Sequence, residues 1–216
     1  MRTPSDIYRE YRIMPSLGAH QLRVAGVAQF ISDRVQQPLD SENVVLACLF
    51  HDMGNIIKSD LPYFPQFLEP EGLEYWEGVK QDFIQRYGQS EHEASIAIAE
   101  EIGLPAPARE LIGGLGFSKL EDIERVGTLE MKICEYADMR VGPHGVLSME
   151  ERLAEGKERY SKKKEKLLFN SAFYNRLSDA LRAIEHELMA RTALRPEDIS
   201  DAAIAPIMHK LGSKSV

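Results

Sequence analysis

Apolar residues recur at helical spacing along almost the whole chain, and no segment shows the apolar–polar alternation that is typical of a β-strand. Between residues 16 and 35, Leu22, Ala25, Ala28 and Ile31 give one broad apolar face. A second long stripe near the C-terminus consists of Phe173, Leu177, Leu181, Ile184 and Leu188. The pattern therefore predicts an all-α protein.

Start and stop signals along the chain set the limits of the predicted helices. These cover residues 4–12, 16–35, 42–53, 71–87, 91–102, 106–112, 127–139 and 171–191. Ser41 is expected to cap the third helix, and Gly54 to end it in the left-handed conformation. Ser90 and Glu93 have the spacing of a capping box. Residues 54–70, rich in proline and aromatic residues, form the longest predicted irregular segment, and such loops often border a functional site.

The predicted organisation is a helical bundle over residues 1–150 followed by a C-terminal helical extension over residues 151–216. The apolar stripe of the extension is expected to cover the main core or a partner subunit, and the second case would give a homo-oligomer. The charged run at residues 157–166 predicts a solvated helix face.

Composition excludes several classes of function. The chain has 216 residues, of which 44% are hydrophobic and 28% charged, as expected for a soluble globular protein with a full core. Its net charge of -8 disfavours a surface for nucleic-acid polymers or membranes. Cys48 and Cys134 lie in apolar helical patterns and are expected to be buried and reduced. With no signal peptide in the first residues, a cytoplasmic location is expected.

The adjacent pair His51 and Asp52 lies in the last turn of a predicted helix that is otherwise apolar. A carboxylate is unfavourable there, because the C-terminal end of the helix dipole is already negative. A divalent cation would satisfy both side chains. For the dipeptide alone, a histidine that caps the last carbonyls beside an exposed aspartate is the better explanation.

Three further features favour a metal site. His20 begins the second helix, Asp138 closes another apolar helix, and Asn55 follows the pair. The ordered set H…HDxGN…AD, with its surroundings HQLRVAGVA, LACLFHDMGNI and KICEYADMRV, closely resembles the HD-domain superfamily of metal-dependent phosphohydrolases over roughly residues 15–145. The resemblance implies an HD-domain helical bundle.

By this resemblance, His20, His51, Asp52 and Asp138 would ligate one divalent ion, which could be Mn, Fe, Co, Ni, Zn or Mg. The ion would activate a water molecule that attacks a small phosphorylated substrate, such as a nucleotide. Asp52 would act in catalysis by orienting that water as well as binding the ion.

Arg23, one turn from His20, and Lys58, just past the pair, are candidate phosphate donors, although each could equally be an ordinary surface base. His92 is a candidate general acid or substrate contact, with an exposed histidine at a helix start as the alternative. Binuclear branches of the family carry a histidine pair before the final aspartate, and residues 108–120 contain no histidine. One metal ion is therefore expected.

The signatures of the cyclic-dinucleotide and deoxynucleotide branches are absent, so the resemblance names no substrate. Two other functions stay open. The chain could be a non-catalytic, metal-dependent module that senses a phosphorylated ligand. It could also be a di-iron oxygenase, which would need more ligands than the sequence clearly supplies.

Overall fold

The computed structural model describes residues 2–162 and 171–216. Over these residues the secondary structure consists of helices, apart from an isolated antiparallel bridge between Val141 and Val146. The α-helices are α1 Pro4–Glu10, α2 Pro15–Ser32, α3 Ser41–Phe50, α4 Leu73–Tyr87, α5 Glu91–Glu101, α6 Ala106–Gly114, α7 Leu120–Val126, α8 Leu129–Met139, α9 Met149–Lys162, α10 Ser171–Thr192 and α11 Asp201–Ser213. The all-α prediction is confirmed.

Helices α2 and α3 form the centre of the bundle. They pack against each other, and both pack against α8, so their apolar faces are buried on more than one side. Val24, Ala28 and Ile31 of α2 and Cys48 of α3 have no exposed surface. The small side chains on α2 allow this close helix packing.

The last two helices cover the bundle. α10 packs on α7 and α8 through Leu177, Leu181, Ile184 and Leu188, all of which are fully buried. α11 lies along α2. The end of the charged run, residues 163–166, lies outside the described residues. Division of the chain at residue 150 stays a prediction.

Two local predictions in the third helix are wrong. Asp40, not Ser41, caps α3, because its carboxylate accepts a hydrogen bond from the backbone N–H of Asn43. Gly54 has a φ of -88° and is not left-handed. α3 ends at Phe50, so His51 caps it and Asp52 lies in the turn that follows.

The segment predicted to be irregular contains three short 3-10 helices, Asn55–Lys58, Leu61–Tyr63 and Pro65–Leu68. Ser90 caps α5 by accepting a hydrogen bond from the backbone N–H of Glu93. The pattern does not predict α7. Among residues 2–162 and 171–216, no helix has the length and apolarity needed to cross a bilayer.

Candidate metal centre

Four side chains from three helices converge beside the C-terminal end of α3. His20 comes from α2, His51 and Asp52 from the end of α3, and Asp138 from the last turn of α8. His20 Nε2 lies 3.0 Å from Asp138 Oδ1 and 3.9 Å from Asp52 Oδ2. His51 Nε2 lies 3.4 Å from Asp138 Oδ1 and 3.7 Å from Asp52 Oδ2. Residues distant in sequence thus place nitrogen and oxygen atoms around one point.

The separations within His20, His51 and Asp52 fit a shared metal ion, and Asp138 adjoins this group through both imidazoles. Ligand atoms about 2.1 Å from one ion lie about 3–4 Å from one another in tetrahedral or octahedral geometry. Ligand atoms of His20, His51 and Asp52 all lie within 4.8 Å of one another. Two imidazoles with carboxylates form a donor set that suits divalent transition metals.

The strongest sign of a ligand is an unpaired nitrogen. His51 is 9% exposed, and its Nε2 is buried without a hydrogen-bond partner. Its Nδ1 lies 2.9 Å from the backbone oxygen of Cys48, and that contact makes Nδ1 the proton donor of the neutral ring. With Nδ1 turned to that oxygen, Nε2 is the nitrogen that would bind an ion, and it faces the two carboxylates. A buried polar atom left unpaired is costly, and a metal ion would satisfy it.

Asp52 is held from two sides. Its backbone N–H donates to Oε1 of the buried Gln21, at 3.1 Å. Its Oδ2 accepts a hydrogen bond of 2.7 Å from Nδ2 of Asn55. These contacts fix the carboxylate in the turn after α3, where the negative end of the helix dipole would otherwise repel it.

The electrostatics of the cluster show strong mutual attraction. In the metal-free protein, burial alone would lower the pKa of His51, but the nearby carboxylates of Asp52 and Asp138 raise it to about 10, so a bound ion would take the place of the Nε2 proton. Burial would raise the pKa of Asp138, yet the hydrogen bond from His20 and the charge of His51 hold it well below its usual range. The carboxylate is therefore ionised and ready to bind a cation.

Gly54 allows the turn that carries His51 and Asp52 to approach α5 closely. A Cβ at this position would overlap the backbone oxygen of Glu91 and lie 2.6 Å from the Cβ of Ala94. Its backbone N–H donates to the hydroxyl of Ser95, at 2.9 Å. The glycine is required by close packing, which explains why a left-handed helix end is not found there.

The four side chains lie in a cavity of about 660 Å³. Its lining also includes Lys58, Glu91, His92, Arg152 and Tyr174. Cavities of this size are typical of small-molecule sites.

The structure does not bring Arg23 to this cavity. Arg23 lies one turn from His20 on α2, but its Nε donates to Oδ1 of Asp201 at 2.8 Å. α11 lies along α2 and supplies that carboxylate. Arg23 is absent from the lining of the cavity in the described part of the chain, so the expected contact with substrate is not observed.

Lys58 and His92 both line the cavity. Lys58 Nζ lies 3.2 Å from Oε1 of Glu91 and is about half exposed. His92 Nε2 lies 3.1 Å from the backbone oxygen of Gly113 and 3.5 Å from Nζ of Lys119. His92 is thus fixed against the last turn of α6, and among the described residues it makes no hydrogen bond with the four clustered side chains.

Glu135 is a buried acid that the sequence analysis missed. It is 2% exposed, and its Oε2 accepts a hydrogen bond of 2.8 Å from the backbone N–H of Gly116, which lines the cavity. Burial, followed by the charge of Asp138, raises the pKa of Glu135 to about 7. The signal in the sequence is an acid that lies one turn before Asp138 in an otherwise apolar helix.

Replacing Glu135 by glutamine should stabilise the metal-free protein at pH 8 but not at pH 4.5. Between its ordinary pKa of 4.5 and the folded value of about 7, the unfolded chain loses a proton that the folded protein keeps. The wild type therefore loses stability as pH rises through this window, by at most about 3 kcal/mol, and glutamine does not. Urea unfolding at the two pH values measures the difference. Glu93→Gln, at an exposed acid, is the control, and an equal gain at both pH values would contradict the prediction.

Comparison with known proteins bears on these residues. The HD domain family model matches residues 17–112 of the chain. The matched span contains His20, His51, Asp52 and His92, and it ends before Asp138. No curated protein and no solved structure gives a significant match.

Proposed function

Because residues 17–112 match the HD domain family model, we propose that the protein is a metal-dependent phosphohydrolase that acts on a small phosphorylated molecule. HD domains are mostly metal-dependent hydrolases and bind divalent metals. A nucleotide is one candidate for the substrate.

The observation that carries the proposal is the unpaired Nε2 of His51 among His20, Asp52 and Asp138. All four residues line one cavity of about 660 Å³, which has room for a substrate beside an ion. His20, His51, Asp52 and Asp138 would hold the ion. When bound, a divalent ion lowers the pKa of a coordinated water and offsets charge on a phosphoryl group.

Groups next to His51 and Asp52 orient these two side chains for binding an ion. The Cys48 carbonyl orients the ring of His51, since it accepts the Nδ1 proton. Asn55 holds one oxygen of Asp52, which leaves the second carboxylate oxygen available to accept a proton from an attacking water.

Lys58 and His92 are the proposed substrate contacts in the same cavity. Lys58 would place a point charge beside a phosphate, although Glu91 already neutralises part of that charge. His92 would act on the leaving group. With its Nε2 proton donated to the Gly113 oxygen, its Nδ1 is the nitrogen that would exchange a proton with substrate.

Turnover by metal-free and metal-loaded protein tests the proposal. The protein is stripped with a chelator, reloaded separately with Mn²⁺, Fe²⁺, Co²⁺, Ni²⁺, Zn²⁺ and Mg²⁺, and assayed on a panel of phosphomonoesters and phosphodiesters that includes nucleotides. We expect phosphate or alcohol release only after metal is restored. No turnover with any metal would contradict the proposal, and ligand-dependent thermal stabilisation without product would favour a sensing module.

A further inference from the structure

Three aromatic rings line the cavity of the metal centre. Tyr63 and Phe67 belong to two successive 3-10 helices, Phe64 lies between these helices, and each of the three side chains is partly exposed. The ring centroids of Tyr63 and Phe64 lie 4.6 Å apart, and those of Phe64 and Phe67 lie 5.1 Å apart. We call these three residues the aromatic wall.

The aromatic wall is held in place by contacts behind it. Leu61 and Leu68, which flank it, are buried. The indole N–H of Trp76 donates to the backbone oxygen of Leu68 at 3.1 Å, and Nζ of Lys80 donates to the backbone oxygen of Ser59 at 2.8 Å. The rings are therefore partly exposed on an anchored segment, so little entropy would be lost when a ligand contacts them.

The aromatic wall is also tied to the metal centre. The segment that carries it begins at Asn55, whose amide donates to Asp52. The turn before it is fixed against α5 by the hydrogen bond from Gly54 to Ser95. The metal centre and the aromatic wall therefore keep a constant separation within one cavity. A single ligand could place its phosphate at the metal centre and its organic group against the wall.

The size and chemistry of the cavity indicate what the wall contacts. A phosphate group fills a small part of about 660 Å³, so the remaining volume suits a sizeable organic group. Phe117 and Tyr174, whose ring centroids lie 5.7 Å apart, also line the cavity. Aromatic rings attract other rings by offset or edge-to-face stacking, beyond the effect of buried area alone.

We propose that the phosphate ester bound here carries an aromatic ring as its organic group, and that Tyr63, Phe64 and Phe67 determine this specificity. The inference rests on the proposed function and adds the chemical class of the substrate. The aromatic wall would recognise the organic group of the ester, and the metal centre would bind its phosphate.

Three phosphonates that cannot be hydrolysed test the inference by binding alone. Methylphosphonate, cyclohexylmethylphosphonate and benzylphosphonate share the anionic group, and the last two differ mainly in aromaticity. Calorimetry on metal-loaded protein should give a Kd for benzylphosphonate at least about tenfold below that of methylphosphonate. It should also lie about threefold to tenfold below that of cyclohexylmethylphosphonate.

Leucine variants assign the preference to the wall. Phe67→Leu and, separately, Phe64→Leu should remove most of the advantage of benzylphosphonate and leave the Kd of methylphosphonate unchanged. Tyr75→Leu is the matched control, because Tyr75 is 42% exposed on α4 and does not line the cavity. Two separate variants keep the test valid if one of them fails to fold.

The outcomes separate this inference from the proposed function. Equal binding of benzylphosphonate and cyclohexylmethylphosphonate, no binding of any phosphonate, or an advantage that survives both leucine variants would overturn the aromatic preference. Turnover of the ester panel could still occur in each case. Conversely, a benzyl advantage that depends on the wall, together with no turnover of any ester, would support the inference while contradicting hydrolysis.

Discussion

Asp52→Ala should lower kcat/KM for the best ester of the panel by more than about a hundredfold, because loss of residues that only orient metal ligands already costs about 10–100-fold. Oδ2 of Asp52 lies within 3.9 Å of the Nε2 atoms of both His20 and His51, so alanine removes a shared ligand atom. It also removes the carboxylate that would accept a proton from water. Steady-state kinetics and metal content per chain, measured on the same samples, check the result.

Asp122→Ala is the matched control for this variant. Asp122 is an exposed carboxylate on α7 that pairs with Arg125, so its loss should leave both kinetics and metal content unchanged. We expect the Asp52 variant to keep its fold, because the backbone hydrogen bond from residue 52 to Gln21 remains. Thermal unfolding checks this expectation. Full activity in a folded Asp52→Ala protein would contradict the assigned site.

Gly54→Ala should destabilise the protein by on the order of 3 kcal/mol, as expected when a methyl group is forced into a close-packed site. The new Cβ would meet the backbone oxygen of Glu91 and the Cβ of Ala94, and neither can rotate away. α5 or the ligand turn must then shift, so metal affinity should fall as well. Urea unfolding and metal titration measure the two effects.

Gly78→Ala is the control, and we expect it to change stability in the opposite direction. Gly78 lies on the exposed side of α4, and a Cβ there would meet nothing within 4 Å. Alanine in a helix interior should stabilise the fold by about 0.5–1 kcal/mol relative to glycine. If Gly54→Ala were as stable as wild type, the explanation by close packing would be wrong.

The helical period predicted most of the fold, because a helix that buries one face carries apolar residues three or four positions apart in the sequence. Residues 16–35 and 171–191 are examples, and the observed helices Pro15–Ser32 and Ser171–Thr192 lie close to those limits. The short helix Leu120–Val126 was missed, because seven residues give too few turns for a period to stand out and, unlike in the equally short α1, no proline marks the first turn.

The clustering of His51, Asp52 and Asp138 could be anticipated because acids lie at the ends of apolar helices and because the ordered set of residues resembles the HD-domain superfamily. The pairing of Arg23 with Asp201 could not be anticipated from the sequence. Its partner Asp201 lies 178 positions away, and only the packing of α11 on α2 brings the two together. The role of Gly54 was also hidden, because a glycine after a helix suggests a left-handed turn and its contact with α5 depends on tertiary structure.

Anomalous diffraction from crystals grown with Mn²⁺ tests the central claim most directly, because it locates the ion without reference to activity. The account predicts one strong peak in contact with His20 Nε2, His51 Nε2 and carboxylate oxygens of Asp52 and Asp138, at about 2.0–2.3 Å. No peak between these four side chains, or an ion held by a different set of residues, would contradict it.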